Sequence, residues 1–403
     1  MTSLITRREM VSQVGASGVA LIGSRTLAQP RHPLAAFKPG QLWLDTSGMP
    51  IQAHGASIQQ IGDTFYWYGE NKERTLPGSG IWTWGIRAYA SLDLYNWDDL
   101  GLIIPPNLTD ARSTLNPRSS MLDRPHIIFN AHTNKYVCWV KIMEKDGRQT
   151  RTVLTADKIT GPYNVVQIGL QPNGMNAGDF DLVISPADGK AYQYYERVHS
   201  EMICADLTAD YTGVTGYYST HLPRHGAGQV REGPAYFTRN GKHYLITSGT
   251  TGYHPNPSMV AVAETYHGPW TMIGDLHPSD RSRTSFNAQI SSVFKHPAKK
   301  DLYIALADRW VVDLPKIAGP GYETGEAYRR VLDTMQKIES GGPVRSAADA
   351  QSRITPRERA YLDATFLTGV NTSRAAYVWL PVRFEGDRPY IEWRSKWTLD
   401  EFS

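Results

Sequence analysis

The sequence predicts an all-β fold: a five-bladed β-propeller with a helical insertion in its last blade. Three observations predict it. A polar turn followed by a short, aromatic-rich strand recurs five times along the 403 residues. Four of these strands are followed by a second one that closes on a small polar knuckle, and the fifth partner arrives late. One stretch only, in front of that late partner, has apolar spacing near 3.6 residues, the helical period. Repeats of about 50 residues with four short strands each are the mark of propeller blades, which bury both faces only when arranged around an axis. The uneven period leaves a β-sandwich or a β-helix as the alternative architectures.

The aromatic strands are GDTFYWYGE (62–70), NKYVCWV (134–140), GKAYQYYE (189–196), GKHYLITSG (241–249) and DLYIALADRW (301–310). Their partners begin at Ile86, Arg151, Met202 and Met259, and the last is YVWLPVRFEGDRPYIEW (377–393). The stretch VREGPAYFTRNGKHYLITSG (230–249) carries the strongest local signal. Asn240-Gly241 between two alternating apolar runs predicts a tight hairpin. The acid Glu232 stands just before its first strand, where a rigid strand can aim a carboxyl group into a cavity. Residues 311–375 read as the helical insertion. GEAYRRVLDTMQKIES (325–340) has helical spacing, and TPRERAYLDATF (355–366) opens on Thr355-Pro356, a good N-cap and first-turn pair. Its position predicts a lid or rim over the central cavity.

Residues 1–30 read as an export signal: Arg7-Arg8, a mild apolar segment over 14–22, then Ala28-Gln29-Pro30. Paired arginines before a weak apolar region predict twin-arginine export, with an ordinary secretory signal as the alternative. Residues 31–403 are then expected to form one propeller domain in an exported bacterial protein, periplasmic or extracellular. No run reaches the ~18–20 apolar residues of a membrane span. The net charge of +3 gives no reason to expect nucleic acid or an anionic membrane as partner. The 22 Tyr and 11 Trp suit sugar rings, although all-β cores also use aromatics. Cys138 and Cys204 lie in apolar strand-like runs and are expected as buried free thiols.

Strands next to a propeller axis deliver side chains into one funnel, and each repeat brings a polar residue to a comparable place. These are His54 and Glu70; Asp123; Asp179 and Asp181, which alternate and so share a face; Glu232, with Thr250 and Thr251 beyond it; and Gln289, with Asp308-Arg309-Trp310. Taken singly, each acid reads equally well as a solvated strand end or half of a structural ion pair. Their recurrence favours a site. Glycosidic hydrolysis needs a proton donor for the leaving oxygen and a group that activates water or attacks carbon. Asp123 and Glu232 are candidates for that pair. Arg124 and Arg231 neighbour these acids, and alternation along a strand predicts that both point elsewhere.

At these residues the chain resembles glycoside hydrolase family 43, inverting five-bladed propeller enzymes, and within it the branch of exo-β-1,3-galactanases. The matching strings include DTSGMPIQAHGASI, FYWYGENK, DRPHIIFN, REGPAYF with NGKHYLITSGTTGYHPNP, ALADRW and IEWRSKW. They run in order from Phe37 to Trp397 and skip only the insertion. The resemblance implies Glu232 as general acid, Asp123 as the residue that positions it and raises its pKa, and Gln289 as holder of the attacking water. From their places in the repeats, His54, Glu70, Asp179, Thr250, Asp308 and Trp310 are expected as substrate-binding residues, and neither a cofactor nor a metal is expected. Two departures matter. Asp123 stands where the branch usually has Glu, and Ala53-His54-Gly55 lacks the first-blade Asp base of the wider family. A neutral amide is a poor base unless it tautomerises, so His54 and Asp179 rival Gln289 for the water. The implied activity is removal of galactose from β-1,3-galactan or arabinogalactan side chains. The alternatives are an α-L-arabinofuranosidase, β-galactofuranosidase or β-xylosidase, and, from another class, a sugar-binding propeller without catalysis.

Overall fold

The computed structural model describes residues 33–342, 347–366 and 369–403. The expected export signal lies outside the described residues. Five antiparallel sheets form the fold. Blade one is β1 (His54–Ile61), β2 (Thr64–Glu70), β3 (Ile86–Ser91) and β4 (Asp98–Ile104). Blade two is β5 (Met121–Asn130), β6 (Lys135–Met143), β7 (Gln149–Ala156) and β8 (Asn164–Leu170). Blade three is β9 (Ala177–Ile184), β10 (Ala191–Arg197), β11 (Glu201–Leu207) and β12 (Val214–His221). Blade four is β13 (Arg231–Arg239), β14 (Lys242–Gly249), β15 (Met259–Ala263) and β16 (Thr271–Asp275). Blade five is β17 (Gln289–Lys295), β18 (Tyr303–Arg309), β19 (Ala376–Tyr377), β20 (Leu380–Glu385) and β21 (Arg388–Tyr390).

Every aromatic repeat of the sequence is the second strand of a blade. These strands are covered on both faces by neighbouring blades, which is why they read as almost unbroken apolar runs. Outer strands such as β8 and β12 are largely exposed. Separate apolar clusters fill the gaps between blades one and two, two and three, and three and four. The first strands touch in sequence, β1 to β5 to β9 to β13 to β17 and back to β1, and so enclose the funnel. Phe37 bridges to Trp397 and stacks on it at 4.2 Å, beside Trp43, Trp67 and Trp379. This aromatic seam joins the two ends of the domain where blades five and one meet.

The Asn240-Gly241 hairpin joins β13 to β14 with φ of 52° and 77°, the positive pair a tight two-residue turn requires. Between β18 and β19 lie α1 (Leu314–Ala318), α2 (Glu326–Ser340), α3 (Ala347–Ser352) and α4 (Pro356–Thr365). Ala327, Val331 and Thr334 form the buried stripe of α2. Thr355 caps α4 in a reciprocal box with Glu358, and Pro356 fills its first turn. The insertion has its own core of Trp310, Leu314, Tyr322 and Val370, against which Tyr253 and Tyr361 pack. Cys138 and Cys204 are buried free thiols. No described helix is long and apolar enough to cross a membrane.

Candidate active site

All five first strands break register near their starts, and in three of them the break carries a residue with positive φ: β1 between His54 and Ser57, β5 between Asp123 and His126, and β13 between Glu232 and Ala235. Those residues are Gly55 at 64°, Arg124 at 49° and Gly233 at 56°. A bulge of this kind turns the strand and re-aims the side chains beside it. It also cancels the alternation that predicts Arg124 to point away. Arg124 instead lies in the funnel, where its guanidinium donates to Gln289 Oε1 at 2.7 Å and pairs with Asp179 Oδ2 at 3.0 Å. Arg231 does point elsewhere and bonds Thr247 and the Pro257 carbonyl.

Around the funnel the charges interlock. Lys141 reaches Asp179 Oδ1 at 2.8 Å and Asp123 Oδ2 at 3.4 Å. Trp82 donates its indole N–H to Asp123 Oδ1. Lys72 pairs with Glu70 at 2.6 Å. Glu232 differs from the other acids. Among the described residues nothing hydrogen-bonds its carboxyl group, and its pKa is pushed well above the usual range. Burial is the largest cause, followed by the negative charges of Asp179 and Glu196; Lys141 and Arg124 oppose them. Asp179 is held in the opposite state, its pKa lowered by Arg124 and Lys141 against the cost of burial. One carboxyl group whose pKa is raised beside one whose pKa is lowered is the arrangement that acid-assisted bond cleavage requires.

Glycosyl hydrolases family 43 matches this sequence over residues 49–325, more than half of the chain. The chain belongs to glycosyl hydrolase family 43. Among solved structures it is similar to the β-1,3-galactosidase BT0265, with 26% identity and a TM-score of 0.69 over 91% of this chain and 64% of that one. The family-43 chain described here thus spans less than two thirds of BT0265. An exo-β-1,3-galactanase from Phanerochaete chrysosporium, solved with galactose, is 25% identical with a TM-score of 0.66 over 90% of this chain and 68% of that one. An exo-β-1,3-galactanase from Clostridium thermocellum, 22% identical over 90% of this chain and 66% of that one with a TM-score of 0.66, shares the fold. Curated protein sequences give no match.

The family-43 funnel brings together Asp123, Asp179, Glu232 and Gln289, with Trp310 donating to Gln289 Oε1 at 3.1 Å. Three of the expected sugar contacts, His54, Asp308 and Glu70, are buried and already partnered. His54 is 0% exposed, pairs with Asp308 at 2.8 Å through Nδ1, and meets the Tyr377 hydroxyl at 3.2 Å through Nε2. It has no nitrogen left for a water. Asp308 takes His54 on one oxygen and the Gly55 N–H on the other. Glu70 accepts the Arg124 N–H at 3.0 Å and holds Lys72; burial, opposed by Lys72, moves its pKa up to about 7. These three form the layer that supports the funnel. After burial, Asp179 is the charged neighbour that raises the Glu232 pKa most. Asp181 serves packing: its oxygens accept the Leu182 and Tyr236 N–H groups at 2.8 Å, joining blades three and four. Thr250 lies at a neighbouring cleft, while Thr251 caps the His254 carbonyl.

Arg124, Lys72, Lys141, Trp82 and Tyr253 are the residues that sequence reasoning missed. Tyr253 stacks on Trp82 at 5.6 Å and leans on Trp310 at 5.2 Å, and its N–H bonds the Phe366 carbonyl of the insertion at 2.6 Å. One signal was available for Arg124. Asp123-Arg124-Pro125 and Glu232-Gly233-Pro234 share an acid-x-Pro pattern, and proline inside a strand marks an edge or a bulge.

Proposed function

We propose that this family-43 hydrolase is exo-acting and inverting, and that it removes galactose from β-1,3-galactan or arabinogalactan side chains. The observation that carries the reading is Glu232: a carboxyl group at a strand bulge, without a hydrogen-bond partner among the described residues, its pKa raised by burial and by Asp179. The likeness to a β-1,3-galactosidase and an exo-β-1,3-galactanase supports the choice of sugar. The twin-arginine-like segment in residues 1–30 supports action outside the cytoplasm.

In this reading Glu232 donates its proton to the leaving oxygen while water attacks the anomeric carbon from the other side. Gln289 cannot take that water's proton. Its oxygen already accepts from Arg124 and Trp310, which can only donate, so both lone pairs are used and the amide orientation is fixed. Its nitrogen donates to Ser248 Oγ at 2.9 Å and keeps one N–H free to orient the water. Asp123 Oδ2 faces Lys141 at 3.4 Å, with no closer donor among the described residues, and in this reading accepts the proton. Blade two stands as far from Glu232 on blade four as a ring of five allows.

Incubation with β-1,3-galactan and a panel of aryl glycosides tests the assignment. Galactose released one residue at a time is the expected result. Preference for an arabinofuranoside, galactofuranoside or xyloside would change the substrate and keep the chemistry. Binding without any hydrolysis would leave a sugar-binding propeller.

A further inference from the structure

A cleft of about 460 Å³ lies beside the funnel, between blades three and four and the helical insertion. Val230 and Thr250 belong to its lining, and they flank the paired residues Glu232 and Ser248 on β13 and β14. Strands rise ~3.3 Å per residue, so the cleft begins within about two residues of the proton donor. From blade three it is bordered by His199, whose N–H bonds Glu196 Oε1 at 2.7 Å. Glu196 is also one of the anions that hold Glu232 protonated. The opposite wall comes from the insertion: Met335 and Glu339 on α2, and Phe366 just after α4.

We propose that this cleft is the leaving-group subsite: it holds the sugar ring or rings beyond the scissile bond, neutral pyranoses of a β-linked galactan. The proposal rests on the functional reading above and adds to it a place and a source for substrate selection. Glu232 must touch the leaving oxygen, so the rest of the leaving group lies on the Glu232 side of the funnel, the side on which Val230 and Thr250 bring the cleft within two residues of the Glu232–Ser248 pair. Its volume falls in the range of small-molecule sites. Its chemistry suits a pyranose: Phe366, Met335 and Val230 offer an apolar surface for the C–H face, while His199 and the Arg224–Glu339 pair offer partners for hydroxyls. The wall is closely fitted. A Cβ on Gly228 would lie 3.0 Å from Leu332 and 3.1 Å from Met335 Sδ, so the blade-four loop and α2 are in direct contact.

The insertion therefore supplies binding energy on the far side of the bond. A substrate with no ring there gains nothing from it, which sets the test. β-Galactosyl fluoride has no leaving-group sugar, whereas β-1,3-galactotriose does. Met335→Trp, which fills the cleft, and Phe366→Ala, which removes its aromatic face, are compared with the unaltered enzyme on both compounds. Expected is a fall in kcat/KM of about tenfold or more on the triose, with the fluoride rate held within about threefold. Equal losses on both compounds, or no loss on the triose from either variant, overturn the proposal. An unaltered enzyme that hydrolyses neither compound overturns the functional reading and this proposal with it, a result visible before any variant is made.

Discussion

Glu232 and Asp179 divide the electrostatic work of the site, and each makes its own prediction. Glu232→Gln keeps the shape of the side chain and removes the proton, so hydrolysis of a glycoside with a poor leaving group falls by ~10²–10⁴-fold. Aryl substrates with good leaving groups recover part of that loss, because they need little protonation; steady-state rates on the two substrate types check this. Asp179→Asn removes the strongest negative neighbour of Glu232 and frees Arg124 and Lys141 to favour its anion. Both effects lower the Glu232 pKa, so the basic limb of the pH–rate profile moves to lower pH. Asp123→Asn lowers the rate but moves that limb less than Asp179→Asn does. The reverse order of shifts would return the pKa-raising role to Asp123. Glu232 was legible in the sequence because it precedes a strong hairpin signal. The division between Asp123 and Asp179 was not, because it depends on which acid the two cations reach across blades.

At the scale of elements, the register breaks at the starts of the five first strands decide what enters the funnel. Gly233 has φ of 56°, and a Cβ there would lie 3.2 Å from Gln289 Nε2 and 3.2 Å from Ser248 Oγ. Gly233→Ala is expected to displace Gln289 and to cost about 1–2 kcal/mol in backbone strain. Activity should fall at least about tenfold while circular dichroism stays that of the folded protein. Strand pairs, the Asn240-Gly241 turn and the Thr355 cap were readable because each depends on neighbouring residues. Arg124 was misplaced because alternation holds only where the ladder is regular. The insertion was readable as helices, but its contact with Tyr253 through Phe366 comes from the fold and leaves no local pattern.

At the scale of the whole molecule, the ring of five first strands sets both stability and chemistry. Asp181 joins blades three and four, and burial raises its pKa from 3.8 to about 7. Its folded pKa lies above its unfolded one, so the folded chain holds a proton that the unfolded chain has lost between those values. Its contribution to stability therefore declines as pH rises from about 4 to about 7. Asp181→Asn removes that decline, so the variant's melting temperature relative to the unaltered protein should be higher at pH 8 than at pH 5 by a measurable margin. The five-blade architecture was legible from the repeats, since each second strand must be apolar on both faces. The same ring puts Asp123 on blade two and Glu232 on blade four, with blade three between them, and an attack on the sugar from the face opposite Glu232 is the central claim about mechanism. A single displacement across the funnel needs acid and base roughly 6.5–9.5 Å apart, with water between them. Proton NMR of the first-formed sugar, recorded before mutarotation, tests it most directly. The account predicts α-galactose from a β-galactoside; β-galactose appearing first would mean a carboxylate attacks carbon, and would contradict it.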